Sequence, residues 1–271
     1  MLRTRLVTSV FLIGGFLAAL FLLPDFYWAA VMLGIIILGA WEWTHLALFT
    51  RSGQRIFTIA ALLIGVCLLP GVWQGVLPHR IVFWSILAAS FFWLVLAPIW
   101  LIRLHRETRK SILATVGLLV LLPSWLALVY LRKISPWIVL GLMAAVWIAD
   151  SAAYFSGKAF GRHKLAPAIS PGKTWEGVAG AMAAVSIYGL ILCVTLNISL
   201  WLVVGFLGLT VLSIVGDLYE SLLKRQAGLK DSGNVLPGHG GVLDRIDGLT
   251  STLPLAAFYL HFPLYYMALH E

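Results

Sequence analysis

The sequence predicts an all-α polytopic membrane protein of about nine transmembrane helices, with a cytoplasmic N-terminus and two polar cytoplasmic loops that form an active site. Three observations carry this expectation. Of 271 residues, 61% are apolar or aromatic and only 11% are charged, where an ordinary soluble domain has about 25% charged residues. The apolar residues gather into runs long enough to cross a hydrocarbon core of about 30 Å at about 1.5 Å of rise per residue. The basic residues fall almost entirely on alternate connections between those runs. Mean hydropathy is +0.96, which excludes a soluble globular domain, and 12 Trp with 14 Phe exclude a disordered chain.

The spans are read in order at roughly 6 to 23, 27 to 49, 56 to 77, 81 to 102, 112 to 131, 136 to 149, 177 to 196, 200 to 216 and 249 to 268. The first follows Arg3 and Arg5 but approaches the ~20 residues of a full span, which disfavours a cleaved signal peptide. The second ends in Trp41-Glu42-Trp43-Thr44-His45. Glu42 and His45 there either pair or touch a headgroup, and placement in an aromatic belt is the favoured reading. The sixth and eighth runs are the shortest. Cys67 and Cys193 both sit in apolar runs and read as reduced packing residues with no disulfide framework. Residues 1–135 form an N-terminal membrane region of about five spans. Residues 136–271 form a C-terminal catalytic region of about four spans plus the loops 150–176 and 217–248.

A net charge of +8 would suit nucleic acid, but no segment joins dense basic residues to a soluble fold, so no nucleic-acid partner is expected. With the N-terminus inside, 16 of the 19 basic residues lie on cytoplasmic segments, and Arg80, Arg132 and Lys133 are the three outside. The positive-inside rule therefore supports nine spans, because losing one would move a basic loop to the wrong side.

The acidic residues are equally uneven. Asp150, Glu176, Asp217, Glu220, Asp231, Asp244 and Asp247 are seven of eleven, all within the two polar segments. If the eighth helix continues past its apolar run, Asp217, Glu220, Ser221 and Lys224 share one face at i, i+3, i+4 and i+7. Carboxylate and hydroxyl oxygens suit a hard cation such as Mg2+, and lysines suit the phosphates that accompany one. Gly233, Gly238, Gly240 and Gly241, around Pro237 and His239, offer backbone amides to an anion. Asp244 and Asp247 follow, three apart, near the positive start of the ninth helix, where phosphates are also favoured. In the earlier segment, Gly172-Lys173-Thr174 lacks the glycine of a P-loop five residues before it, Pro167 standing there instead. Ser170, Lys173 and Thr174 remain as phosphate-binding candidates, and a capping Ser or Thr with Glu176 in the first turn is compatible with that role. Asp150, at the end of the sixth span, is either functional or interfacial.

From Ser221 onward the residues Ser221, Lys224, Arg225, Lys230, Asp231, His239, Gly240, Gly241, Asp244, Arg245 and Asp247 fill without gap or substitution a pattern that resembles the signature of phosphatidate cytidylyltransferases of bacterial type, also called CDP-diacylglycerol synthases. Asp150-x-x-Ala153-Tyr154 and Ser170-Pro-Gly-Lys-Thr-Trp-Glu-Gly177 are similar to two further blocks of that family. The resemblance implies an integral enzyme of the bacterial inner membrane, its site facing the cytoplasm, that joins CTP to phosphatidic acid and releases pyrophosphate. It also implies Mg2+ as one or two divalent ions, with a monovalent ion compatible. On this expectation Asp217, Lys224, Asp244 and Asp247 are catalytic, and Asp217, Asp244 and Asp247 bind metal. Ser170, Lys173, Thr174, Ser221, Arg225, Lys230, His239, Gly240, Gly241 and Arg245 bind substrate. The bilayer is a partner, and a homodimer is compatible with such a bundle although no residue points to one. The rival readings are a CTP-dependent lipid kinase and a polytopic transporter; a transporter calls for polar residues near the bilayer middle, whereas this chain groups them at one face.

Overall fold

Helices that are apolar all round have no side reserved for water, so they bury themselves against each other or against lipid. The computed structural model describes residues 2–236, 238 and 240–268, with side-chain surroundings for all of these except 2–7, 9, 79 and 261–268. In chain order it has α1 (Leu2–Leu22), α2 (Asp25–Leu46), α3 (Arg51–Gln74), α4 (His79–Phe91), a π-helical turn (Phe92–Leu96) running into α5 (Ala97–Ile102), and α6 (Lys110–Ile134). There follow α7 (Pro136–Phe160), a hairpin of β1 (Lys164–Ala166) and β2 (Ser170–Thr174), α8 (Trp175–Leu196), α9 (Trp201–Ala227) and α10 (Leu243–Ala268). Among the described residues seven of these rods, counting α4 to α5 as one from Arg80, are long and apolar enough to cross a membrane; α1 adds a shorter apolar stretch, Val10–Leu22. Large apolar side chains such as Phe11, Ile56, Trp84, Val194 and Trp201 point outward, as expected where lipid replaces water as solvent.

The centre of the bundle is α6, packed against α2, α4 and α10, with α3 outside α2 and with α7, α8 and α9 forming a second layer. Two buried indoles bond across helices: Trp43 donates to the Leu113 carbonyl at 3.0 Å and Trp125 to that of Ala29 at 2.9 Å. Ser124 reaches the Thr250 carbonyl at 3.0 Å and so ties α6 to α10. The boundary drawn at residue 135 falls in the Ser135 turn, where the serine caps α7 ahead of Pro136, and α10 packs against helices of the first half. Gly75 and Gly228 close α3 and α9 at φ of 75° and 71°, the left-handed conformation that glycine adopts at little cost.

The polar segments are more regular than the sequence suggested. Residues 150–176 are not a loop throughout: α7 runs on to Phe160, and β1 pairs antiparallel with β2, Lys164 opposite Thr174 and Ala166 opposite Ser170. Polar side chains do not stop a helix; Gly161 does, its amide held by the Gly157 carbonyl at 3.0 Å as the chain turns extended. In the later segment the described residues that lack helix all fall between α9, which continues to Ala227, and α10, which begins at Leu243. The short sixth and eighth runs thus become helices of 25 and 27 residues. Cys193 is buried as expected, but Cys67 is exposed, on a helix whose outer side has no protein to pack against.

Candidate active site

The continuation of α9 places Asp217, Glu220, Ser221 and Lys224 on one face, as their spacing requires. Asp217 meets the hairpin: Lys173 Nζ, on β2, lies 2.6 Å from Asp217 Oδ2, and Ser221 donates to Asp217 Oδ1 at 3.3 Å. One turn further on, Lys224 Nζ lies 2.7 Å from Asp244 Oδ1 and 3.3 Å from Glu220 Oε2. Two lysine and aspartate pairs therefore join α9 to the hairpin on one side and to the start of α10 on the other. Asp150, on α7, is near enough to Asp217 and Lys173 for their charges to act on it.

Asp244 is held from every direction. Its Oδ2 accepts the Ser232 amide at 2.9 Å, the Ser232 hydroxyl at 3.0 Å and the Gly241 amide at 2.9 Å. Burial works against its charge, but the Lys224 ammonium and the two amides outweigh it and hold the carboxyl below the usual carboxylate range. Asp247 is the opposite case. Burial pushes its carboxyl up, and the nearby charge of Asp217 adds to the effect; among the described residues only the Gly248 amide, 2.7 Å from Oδ1, gives it a backbone donor. Both aspartates precede the apolar run of α10.

A residue that the sequence reading placed in an aromatic belt proves central. Glu42, on α2, is 1% exposed. Its Oε1 accepts the Val242 amide at 2.9 Å; its Oε2 accepts the Leu243 amide at 2.7 Å and the Ser232 hydroxyl at 3.1 Å. The belt reading is therefore corrected for Glu42: it caps α10 from another helix. His45 stays beside Trp41, ring centroids 5.2 Å apart. The glycines close on the same carboxylate. A Cβ at Gly233 would stand 2.4 Å from Glu42 Oε1, and one at Gly241 would stand 2.6 Å from Oε2 and 2.1 Å from Ser232 Oγ. The amides of residues 241 to 244 all have protein partners, since Asp244 N also reaches Ser232 Oγ at 3.3 Å. The start of α10, expected to be an open anion site, is thus occupied by carboxylates. The signal in the sequence was an ionisable residue inside a 22-residue apolar helix; Ser232 carried no signal.

Other sequence candidates fall elsewhere. Thr174 is buried and caps α8, accepting the Gly177 amide at 3.1 Å. Glu176 does not reach back to that cap; it takes the His163 amide at 3.2 Å and faces His163 Nδ1 at 2.7 Å. Arg225 donates to the Ile169 carbonyl at 3.2 Å, pinning the hairpin to α9. Ser170 is half-buried on β2, and Lys230 is exposed in the turn after α9. Gly240 adopts φ of 81° beside Asp244, and Arg245 lies in the first turn of α10. His239 and Pro237 lie outside the described residues.

The donor chemistry fits a hard divalent cation. Both carboxylate oxygens of Glu220 are buried with no hydrogen-bond partner of good geometry, and its carboxylate adjoins that of Asp247, which in turn feels Asp217. Negative charge here exceeds what Lys173 and Lys224 neutralise. Among the described residues no three such side chains are already drawn together as a metal cage, because each lysine occupies one aspartate.

The arrangement sets carboxylate oxygens that could hold a cation beside ammonium groups that could meet phosphate, where α9 faces the hairpin and the start of α10. A family model described as the cytidylyltransferase family matches residues 3–263 of this chain. A phosphatidate cytidylyltransferase of Pseudomonas aeruginosa is 40% identical over 271 aligned residues, covering 95% of this chain and 96% of the relative. One from Haemophilus influenzae is 35% identical over 288 aligned residues, covering 97% and 100%. One from Brucella suis is 50% identical over 121 residues, covering 42% and 43%.

Proposed function

Given that this chain belongs to the cytidylyltransferase family, we propose that it transfers the cytidylyl group of CTP to phosphatidic acid, giving CDP-diacylglycerol and pyrophosphate. The observation that carries the proposal is the pair of short lysine and aspartate contacts, Lys173 to Asp217 and Lys224 to Asp244, in which Lys173, Lys224 and Asp244 belong to the blocks that resemble the family's and Asp217 lies one turn before Ser221 on the same helix face. In the reaction a phosphate oxygen of phosphatidic acid attacks the α-phosphorus of CTP, and the bond from that phosphorus to the oxygen bridging to the β-phosphorus breaks. A phosphomonoester is already anionic near neutral pH, so alignment and charge neutralisation matter more than a strong base.

Lys173 and Lys224 would exchange an aspartate for a phosphate oxygen, a reading supported by their short contacts to Asp217 and Asp244. Arg225, Lys230 and Arg245 add positive charge around them, while Ser170, Ser221, Thr174, Gly240, Gly241 and His239 complete the substrate-binding set. Asp217, Asp244 and Asp247 would hold one or two Mg2+ ions, with Glu220 beside them. A bound Mg2+ would supply charge stabilisation to the phosphates and the leaving pyrophosphate. The proposal includes nine spans with the N-terminus in the cytoplasm, the site on the cytoplasmic face of a bacterial inner membrane, and acyl chains admitted between helices from the bilayer; a homodimer is compatible with it.

Purified protein given CTP, phosphatidic acid and Mg2+ is expected to release pyrophosphate and form a cytidine-labelled lipid in equal amounts. CDP release with phosphorylated lipid would indicate a kinase instead, and no turnover with any lipid would return the reading to transport.

A further inference from the structure

We infer that Glu42 is a positioning residue for cytidylyl transfer: from the N-terminal half of the bundle it holds the 232–243 segment so that Asp244 and Lys224 stand in register. The inference rests on the reaction proposed above and deepens it.

The geometry is a relay of hydrogen bonds. Glu42 accepts the amides of Val242 and Leu243 and contacts the Ser232 hydroxyl. Ser232 contacts Asp244 through both its amide and its hydroxyl, and Asp244 meets the Lys224 ammonium at 2.7 Å. The Ser232 hydroxyl carries one proton and lies within 3.1 Å of Glu42 Oε2 and 3.0 Å of Asp244 Oδ2, so the two carboxylates share it. Gly233 and Gly241 leave no room for a side chain against Glu42, so the segment closes around the carboxylate. Nothing else on α2 is charged near this point, and a carboxylate at a helix start is favoured by both the free amides and the helix dipole. Of the described residues assigned to substrate, Glu42 packs only against the Gly241 backbone and hydrogen-bonds none of their side chains; it acts through Ser232 and the α10 start.

A general packing role and a positioning role differ in what they change. Loss of packing lowers the amount of folded protein. Loss of position lowers kcat in each folded molecule. The test uses full-length protein in detergent, with folded fraction from size exclusion and thermal unfolding, and with kcat and KM for CTP measured well below the unfolding temperature. Glu42→Gln keeps the shape but turns one acceptor toward an amide as a donor. It is expected to lower kcat per folded molecule at least tenfold, to leave KM for CTP within about threefold, and to speed hydrogen exchange at the Val242 and Leu243 amides. Ser232→Ala removes the shared proton without stranding a charge, and a three- to tenfold fall in kcat is expected. Wild-type kcat per folded Glu42→Gln, with loss only in unfolding temperature, would overturn the inference. Should Glu42→Gln not fold, wild-type kcat in Ser232→Ala would overturn it. Absence of cytidylyl transfer in the wild type would fail the proposed reaction instead, a result separable from this one because the exchange measurement needs no activity.

Discussion

Two sets of charged side chains lie inside this bundle, and they are used differently. At the turn between α1 and α2, Arg132 of α6 donates to the carbonyls of Leu20 and Leu23, pairs with Asp25 and lies over the Trp28 ring. Lys133 likewise donates to the carbonyls of Val72 and Trp73 at the end of α3. Cations here finish helix ends, where the dipole favours positive charge, and the donors are spent on backbone oxygens. Around α9 the balance is reversed. Asp217, Glu220, Asp244 and Asp247 outnumber the lysines that meet them, and Glu220 has oxygens with no hydrogen bond. Charge whose hydrogen-bonding capacity is filled by backbone is structural, charge left in surplus would be available to a substrate and its cation, and Asp244 has a share of both, with Oδ2 held by amides and Oδ1 facing Lys224. Glu42 belongs to the first kind but stands beside the second, which is why it is assigned to positioning.

Substitutions that separate activity from stability test this contrast. The largest effect is expected from Asp217→Asn and Asp244→Asn. Each should lower pyrophosphate release by roughly 10²–10³-fold or more, with thermal unfolding close to wild type for Asp217→Asn and lowered for Asp244→Asn, whose carboxylate also holds the Ser232 and Gly241 amides; wild-type turnover in either would break the contrast at its reactive end. Arg132→Leu strands the Leu20 and Leu23 carbonyls, but Asp25 is exposed enough to return to water. A stability loss of about 1–3 kcal/mol is expected, with kcat per folded molecule unchanged. A fall in kcat there would show that the two ends are coupled. The smallest effect is expected at the α8 cap: Thr174→Ala should cost about 1 kcal/mol of stability. A larger fall in activity than in stability would support the place of Thr174 in the proposed substrate-binding set, and an equal fall would leave it a cap alone.

Much of this was legible in the sequence because its warrants are local. Apolar runs predict helices, and the i, i+3, i+4 and i+7 spacing from Asp217 to Lys224 predicts a shared face; the structure shows both. The uninterrupted pattern from Ser221 to Asp247 pointed to a family that the full-length relatives then showed. The hairpin was less legible, since Lys164–Ala166 and Ser170–Thr174 are too short for a periodic signal and are tied to distant residues of α9 through Arg225 and Asp217. Glu42 and Ser232 were not legible in their roles: their partners lie 200 and 12 positions away at Val242 and Asp244.

The sequence by itself determined that the chain is helical and made for lipid, and which residues are candidates for the chemistry. Hydropathy and helical spacing are properties of neighbouring residues. Only the tertiary structure decided which lysine meets which aspartate, and that the amides starting α10 are filled by Glu42 and Asp244 instead of open to an anion. It also decided that α10 is set by a carboxylate on α2. Those outcomes depend on hydrogen bonds of about 3 Å between distant helices, and a directional bond of that length has no periodicity along the chain.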